Sequence, residues 1–387
     1  LPLLTFGTVV AYKWEAEVTN GKKEGELLMD LFEMMKQSGH EQVIFNLDRK
    51  TGLRAIIAIH DTTLGPACGG CRMWGYESEA DALNDVLRLS RGMTFKSAAA
   101  GIMFGGGKTV IIGDPQKKTP EMFYALGRFV ETLHGRFYTG TDVGTSGDDF
   151  VEAAKIARRF SGLPVEFGGC GNTGLFTAFG VFKGIQACLK ECFGDESFTG
   201  RKVAIQGVGK TGEPLIQYLQ EAGAEVVALT DADRPKMLAA AEKYQVAAVE
   251  PDAIYDVECD IFSPNALGAV INDRTINRLR CRIIAGAANN VLAEPRFDVM
   301  LRDKNILYAP DFIINAGGVI GVSDEFEQDG FNEERTFKKT EKIYDRLLRV
   351  FSYATEKGLP TQDAAEQLTQ QLIESMAEIN RKWVDGK

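Results

Sequence analysis

The stretch "VAIQGVGKTG", residues 203–212, constrains the fold more than any other part of the chain. Its apolar opening reads as a strand, its glycines Gly207, Gly209 and Gly212 have GxGxxG spacing, and "GEPLIQYLQEAG" then reads as a helix. In that context a backbone can approach a pyrophosphate closely, and the free N–H groups at the helix start attract the anion. Gly207 permits the tight turn, Gly209 the approach of the phosphate and Gly212 the close packing of the helix, with Lys210 inside the loop. Asp231 closes the next apolar run, "AEVVALTD", at about the 20-residue spacing where an acid meets the ribose 2′-hydroxyl. An acid there repels a 2′-phosphate, so the motif predicts NAD, and the neighbouring Arg234 is the feature that leaves NADP open.

From about residue 200 strands and helices alternate regularly: "RKVAIQGVG", "AEVVALTD", "CDIFSP", "RIIAGAA" and "NILYAP" read as short buried strands. This is the pattern of a parallel, doubly wound α/β sheet. Residues before about 162 have another texture. A helical pattern over 27–35 precedes the strand pair "EQVIFNLD" and "LRAIIAIHD", joined near "RKTG". Ser78 and Asp81 open a helix that puts Leu83, Val86, Leu87 and Ser90 on one face. The run "TVIIGD" reads as a further strand and Thr119-Pro120-Glu121 as a helix start. Residues from about 333 onward read as charged and amphipathic helices able to fold back on the first domain.

A net charge of -10 argues against nucleic acid or an acidic membrane as partner. With no run of about 18 apolar residues and no basic leader in "LPLLTFGTVVAYKWEAEV", the chain reads as cytoplasmic. The seven cysteines are odd in number and scattered, which reads as reduced thiols. No His/Cys/carboxylate cluster suggests a metal, and His40, His60 and His134 read as structural.

Residues 92–115, "GMTFKSAAAGIMFGGGKTVIIGDP", hold Lys96 and Lys108 among Gly, Ala and apolar residues. Desolvation and a second cation lower a lysine pKa toward the range of a general base, while a lysine that stays charged can bind a carboxylate. The plainer alternative is a helix-end Lys96 and a solvated loop Lys108. A nucleotide-triphosphate loop is set aside, because GxxxxGK needs glycine where Ile102 stands. Asp142, in "GRFYTGTDVGTSGDDF", can shuttle protons beside such a lysine or be a turn aspartate.

Taken in order, "DTTLGPACGGCRMW", "RGMTFKSAAAG", "GGGKTVIIGDP", "TGTDVGT", "GVGKTG", "AGAANN" and "YAPDFIINAGGVIGVSDE" resemble the Glu/Leu/Phe/Val amino-acid dehydrogenases over about residues 28–375. The phrases "GGCRM", "GRFYTGTD" and "HEQVIF" resemble the phenylalanine branch most. The resemblance implies reversible, NAD-dependent oxidative deamination of an L-amino acid, phenylalanine first, to its 2-oxo acid (phenylpyruvate) and ammonium. Leucine or another branched-chain residue and tryptophan are the alternatives; an inactive NAD-binding regulator is a remote one. It also implies a homo-oligomer. We expect two α/β domains with a cleft between them. One is a substrate and oligomerisation domain over 1–162, with 1–26 as an extension, completed by the C-terminal helix 358–387. The other is a Rossmann-type domain over 163–357.

By the same resemblance Lys96 binds the substrate carboxylate, Lys108 activates water at the imine carbon, and Asp142 transfers protons. Gly69, Gly70 and Met93 form the wall around the carboxylate. Thr177, Ala287, Asn289, Asn290 and Asn315 lie near the nicotinamide, ribose and substrate. Val319 and Val322 line the side-chain pocket. Cys68 stands where leucine dehydrogenases have leucine and Gly140 where they have alanine, so both are expected to enlarge that pocket toward aromatic substrates. Asn265 and Val291 depart from the family pattern at fine cofactor contacts. Cys68 and Cys71 form a CxxC, for which the family has no thiol chemistry.

Overall fold

The computed structural model describes residues 31–384, and two six-stranded sheets organise it. The first contains β1 (Gln42–Asp48), β2 (Leu53–Asp61), β3 (Ala67–Trp74), β4 (Gly105–Ile112), β5 (Phe137–Thr141) and β6 (Phe160–Ser161), in the order β1-β2-β4-β3-β5-β6. β1 and β2 form the expected antiparallel pair; their turn is held by Asp48 Oδ1, which accepts from the N–H groups of Lys50 and Thr51. β4 runs antiparallel to β2 and parallel to β3, and β3-β5-β6 continue in parallel.

Helices α1 (Leu31–Ser38), α2 (Glu79–Ala100), α3 (Pro120–Glu131) and α4 (Gly147–Ala154) cover this sheet. The helix expected over 27–35 is found as α1; residues 27–30 and the extension 1–26 lie outside the described residues. Alternation sorts the strands into two faces. Ile57, Met73 and Ile111 meet Phe123 and Leu126 of α3 on one side. On the other, Ile56, Ala58 and Val110 meet Leu83, Val86 and Leu87 of α2. Ser78 caps α2 as expected, accepting from Asp81 N. His40 and His60 are structural: their rings meet edge to face at 4.8 Å and hydrogen-bond to Ser90 and Thr94 of α2.

The second sheet contains β7 (Lys202–Gln206), β8 (Glu225–Thr230), β9 (Ala247–Ala248), β10 (Ile261–Pro264), β11 (Ile283–Ile284) and β12 (Leu307–Tyr308). It is parallel throughout, in the order β12-β11-β10-β7-β8-β9. This is the doubly wound dinucleotide-binding order, which reverses direction at β7. The helices of this half are α5 (Thr173–Phe193), α6 (Gly212–Glu221), α7 (Arg234–Tyr244), α8 (Arg296–Asp303), α9 (Asp311–Ile314), α10 (Gly317–Asp324), α11 (Glu333–Glu341), α12 (Ile343–Lys357) and α13 (Thr361–Val384). Val203 and Ile205 pack toward α5, α6 and α12, while Ala204, Phe262 and Ile284 pack toward α8.

The segment after Ser161 turns on left-handed glycines, Gly162 (φ +73), Gly168 (φ +86) and Gly171 (φ +69), before α5 begins. α13 touches both halves: Ala364 and Ala365 join the core with Val350, and Ile373 packs on Leu64 and Ala98. No described helix is long and apolar enough to cross a membrane.

Candidate active site

The pairing of Lys96 with Lys108 has a steric origin. α2 ends at Gly101, which takes φ 63 and caps the helix, and the chain returns immediately as β4. A Cβ on Gly106 would fall 2.0 Å from Thr94 Oγ1 and 2.5 Å from Ser90 O of α2, and one on Gly107 would meet the Phe137 ring at 2.6 Å. Only glycine lets helix and neighbouring strand approach that closely. "GGGK" is therefore the start of the strand expected only from "TVIIGD" onward, and Lys108 is buried within it at 6 % exposure, which sets aside the solvated-loop alternative.

Lys108 Nζ lies 2.6 Å from Asp142 Oδ2, and Arg72 Nε lies 3.2 Å from the same oxygen. Burial opposes the Asp142 charge, but Lys108 and Arg72 outweigh it and hold the carboxyl below the usual range. Arg72 is fixed in turn by Asp85, at 2.8 Å, which also accepts from Tyr76 and Arg88. Thr145 Oγ1 accepts from Asp142 N and donates to Cys71 O, fixing the loop that presents the carboxylate.

Lys96 is half-buried, and its Nζ donates to Asn289 Oδ1 at 3.2 Å, linking α2 to the other half of the molecule. Burial pushes its pKa down to about 8, with the Lys108 charge adding to the effect and Asp311 opposing it. The lowered lysine is thus the one expected simply to stay charged. Gly69 lets β4 approach, since a Cβ there would fall 1.8 Å from Gly107 O and 3.1 Å from Met93 Cγ, while a Cβ on Gly70 would stand 3.2 Å from Lys108 Nζ.

Cys68 and Cys71 belong to opposite faces of β3 by alternation, which denies them a disulfide. Both are free, and burial pushes the Cys68 thiol up to about 12 and Cys71 higher. Cys68 lies opposite Tyr138 on β5. The Tyr138 ring contacts Phe104 at 5.4 Å and Phe326 at 4.8 Å, and Arg159 Nη1 donates to its hydroxyl. Val319, Val322 and Phe326 follow at helical spacing along α10 and just beyond it. Gly140 departs from expectation: a methyl there would meet Ser161 Oγ at 2.5 Å and Ser161 O at 2.8 Å. The missing Cβ therefore makes room for β6, and the freed space does not widen a pocket.

In the second half Gly207 has φ 94, and a Cβ on Gly212 would lie 1.9 Å from Gly207 O. Gly209 is open, with Lys236 Nζ 3.6 Å from its Cβ position, and Lys210 is exposed. Asp231 accepts from Val208 N through Oδ2 and from Asp233 N through Oδ1, while Arg234 pairs with Glu250 at 3.3 Å. A Cβ on Gly174 in the first turn of α5 would touch Lys210 O at 2.4 Å, so this helix start adjoins the glycine loop. One on Gly318 would lie 2.8 Å from Thr177 Oγ1. Asn315 Nδ2 donates to Ala287 O, Ala288 O and Asn289 Oδ1, and its buried Oδ1 has no partner among the described residues. Asn290 adopts φ 52 and Ala287 N donates to Asn265 Oδ1. Buried Val291 donates its N–H to Asp311 Oδ2.

Residues 40–157 match the Glu/Leu/Phe/Val dehydrogenase dimerisation domain, and residues 168–235 and 232–380 match Glutamate/Leucine/Phenylalanine/Valine dehydrogenase. The chain belongs to the Glu/Leu/Phe/Val dehydrogenase family. A leucine dehydrogenase of Thermoactinomyces intermedius is 50% identical over 349 residues, 90% of this chain and 94% of the relative. A phenylalanine dehydrogenase of the same organism is 50% identical over 357 residues, 92% and 97% of the two chains. The crystal structure of L-tryptophan dehydrogenase from Nostoc punctiforme matches with a TM-score of 0.79 and 43% identity, covering 89% of this chain and 99% of that one.

The structure also brings to the Lys96, Lys108 and Asp142 region several residues that the sequence does not single out. Arg72 sits inside the quoted "GGCRMW" phrase, but nothing local couples it to Asp142. Asp311 is likewise visible only as the start of "DFIINAGG"; its carboxyl, raised by burial, faces Lys96 across the fold. Phe104, Tyr138 and Phe326 come from three separate phrases and meet only in space.

Proposed function

We propose that the chain catalyses NAD-dependent, reversible oxidative deamination of an L-amino acid, with phenylalanine as its preferred substrate. The observation that carries the reading is the Lys108–Asp142 pair, set on the sheet face beside α2 and Lys96. Lys96 binds the substrate carboxylate. Lys108 takes a proton from the water that attacks the imine carbon, and Asp142, 2.6 Å away, receives and returns protons as ammonia leaves. Arg72 holds Asp142 in place and favours its ionised form.

The residues fit a dinucleotide. Gly207, Gly209 and Gly212 leave a backbone cradle, Asp231 suits a ribose hydroxyl, and the unpartnered Asn315 Oδ1 suits a carboxamide N–H on the nicotinamide side. Thr177, Ala287, Asn289 and Asn290 surround that end. The chemistry NAD would supply when bound is acceptance of a hydride from the substrate Cα. Asp231, with Arg234 engaged by Glu250, supports NAD over NADP.

The preference for phenylalanine is supported by the Phe104, Tyr138 and Phe326 rings, the second of which lies opposite Cys68 and the third of which follows Val319 and Val322 in the chain, where an aromatic side chain finds edge-to-face partners. Leucine is the second reading, favoured by the equal 50% identity to a leucine dehydrogenase. We assign the substrate part to residues 1–162 with 358–387 and the cofactor part to 163–357, with the glycine-rich segment after Ser161 as hinge. Homo-oligomerisation is supported by edge strand β1, on which Phe45 and Leu47 are 56% and 61% exposed. Initial rates with Phe, Trp, Tyr and Leu, at fixed NAD and then NADP, test the proposal. A clear preference for Leu overturns the aromatic assignment, and no turnover with any of them overturns the reaction.

A further inference from the structure

A cavity of about 280 Å³ lies where the last turn of α2 meets α12 and α13. Its walls are apolar at Ala98, Val350, Leu368 and Leu372 and neutral polar at Thr369, Gln371 and Ser375, and two cations of α12, Arg346 and Arg349, line it. Among the described residues no aspartate or glutamate lines it.

Arg346 is held in an arrangement that its protein neighbours do not explain. Its Nη1 is buried and has no hydrogen-bond partner among the described residues. Its Nη2 lies 2.5 Å from the place where a Cβ of Gly101 would stand, so the guanidinium rests directly against the end of α2. Capping of that helix is not its role. The carbonyls of Ser97 and Ala98 accept from the N–H groups of Ile102 and Gly101, and none of the hydrogen bonds among the described residues joins the Arg346 side chain to that end. A charged donor buried without an acceptor is costly, and burial pushes the Arg346 pKa below the ordinary arginine value, with Asp345 opposing it, while the group stays charged. Nη1 itself has almost no accessible surface, so an acceptor from outside the chain would meet the part of the Arg346 side chain that lines the cavity.

We propose that this cavity binds a small apolar monocarboxylate that has no amino group. The planar guanidinium of Arg346 matches a carboxylate edge, Arg349 adds a second charge, and the apolar walls take the hydrocarbon part. A zwitterionic amino acid is disfavoured, because its ammonium would find no carboxylate there. Inorganic phosphate is disfavoured because several of its oxygens would face Val350, Leu368 and Leu372. The occupant would brace the end of α2, one turn from Lys96, without touching Lys108 or Asp142. This inference is independent of which amino acid the enzyme prefers.

The test is calorimetric titration of the full-length protein with 3-phenylpropanoate. Two sites per chain are expected in the wild type. The Arg346→Gln/Arg349→Gln double variant should keep one, and Lys96→Met should keep the other. Leu368→Trp, which fills the cavity with both arginines intact, should weaken the second site at least tenfold while leaving turnover unchanged, and it serves if the double variant does not fold. Binding that neither Leu368→Trp nor the double variant diminishes overturns the proposal, whether the wild type shows one site or two. So does displacement of the second equivalent by millimolar inorganic phosphate, which would mark a general anion site.

Discussion

Lys108 and Asp142 make their 2.6 Å ion pair across an intervening strand. Lys108 is on β4 and Asp142 follows β5, with β3 between them in the sheet. The pair passes over Gly70, where a Cβ would lie 2.9 Å from Asp142 Cβ and 3.2 Å from Lys108 Nζ. A side chain at Gly70 would also meet Thr141 O at 2.8 Å, and would therefore push β5 and the Asp142 that follows it away from Lys108 without removing either group.

That relationship separates chemistry from binding. Lys108→Ala is expected to lower kcat by about 10²–10⁴-fold, the range for loss of a general acid-base group. NAD affinity, followed by fluorescence titration, should change less than twofold. Gly70→Ala should lower kcat by at least about tenfold with an unaltered circular dichroism spectrum. Unchanged turnover in Lys108→Ala would contradict the proposed mechanism.

The Lys96 ammonium, pushed down to about 8, sets an alkaline limit on carboxylate binding. The group is charged below that value and neutral above it, so affinity for a carboxylate is present at pH 7 and lost as pH rises through about 8. The competitive inhibition constant of a substrate-like carboxylate should rise about tenfold per pH unit above this point. Lys96→Arg should flatten the profile, because arginine stays charged across it. A wild-type constant that is level from pH 7 to 10 would exclude the assignment.

The aromatic rings give a specificity prediction. Phe326 contacts both Tyr138, at 4.8 Å, and Phe104, at 5.7 Å. Phe326→Leu together with Phe104→Leu should shift the ratio of kcat/KM for Phe over Leu toward Leu by about tenfold, the scale of small apolar changes in a pocket. An unchanged ratio would place the rings outside the substrate pocket.

Glu325 clasps the connecting segment. Its carboxylate accepts from Gly162 N at 2.9 Å and Cys170 N at 3.0 Å, although burial raises its pKa. Glu325→Ala leaves both N–H groups without that acceptor and should cost about 1–3 kcal/mol in chemical denaturation. Loss below about 0.5 kcal/mol would show that water replaces the clasp.

The exposed edge of β1 yields a last expectation. Phe45→Lys with Leu47→Lys places charge on the edge proposed to join subunits. Sedimentation should show a smaller assembly than the wild type at the same concentration, and an unchanged mass would move the interface elsewhere.

Local chemistry made a good part of this protein legible in its sequence. The β1–β2 hairpin, the Ser78 cap, the parallel second sheet and the Gly207–Gly212 loop depend on short-range patterns, which the residues themselves announce. Lys96, Lys108 and Asp142 were recognisable as candidates by residue type and by the ordered phrases around them. Their mutual geometry depended on contacts between segments remote in the chain. The strand expected from Thr109 onward begins at Gly105, and only the close approach of Thr94 and Phe137 shows why glycines precede Lys108 in it. Gly140 read as pocket space, and only Ser161 shows that the space is filled. Arg72, Asp311 and the three rings gave no local signal, because a side chain's partner across a sheet is set by strand order and register. Composition and periodicity therefore determined which elements form. Close packing between them decided which lysine is desolvated, which carboxylate it meets and what remains open beside them.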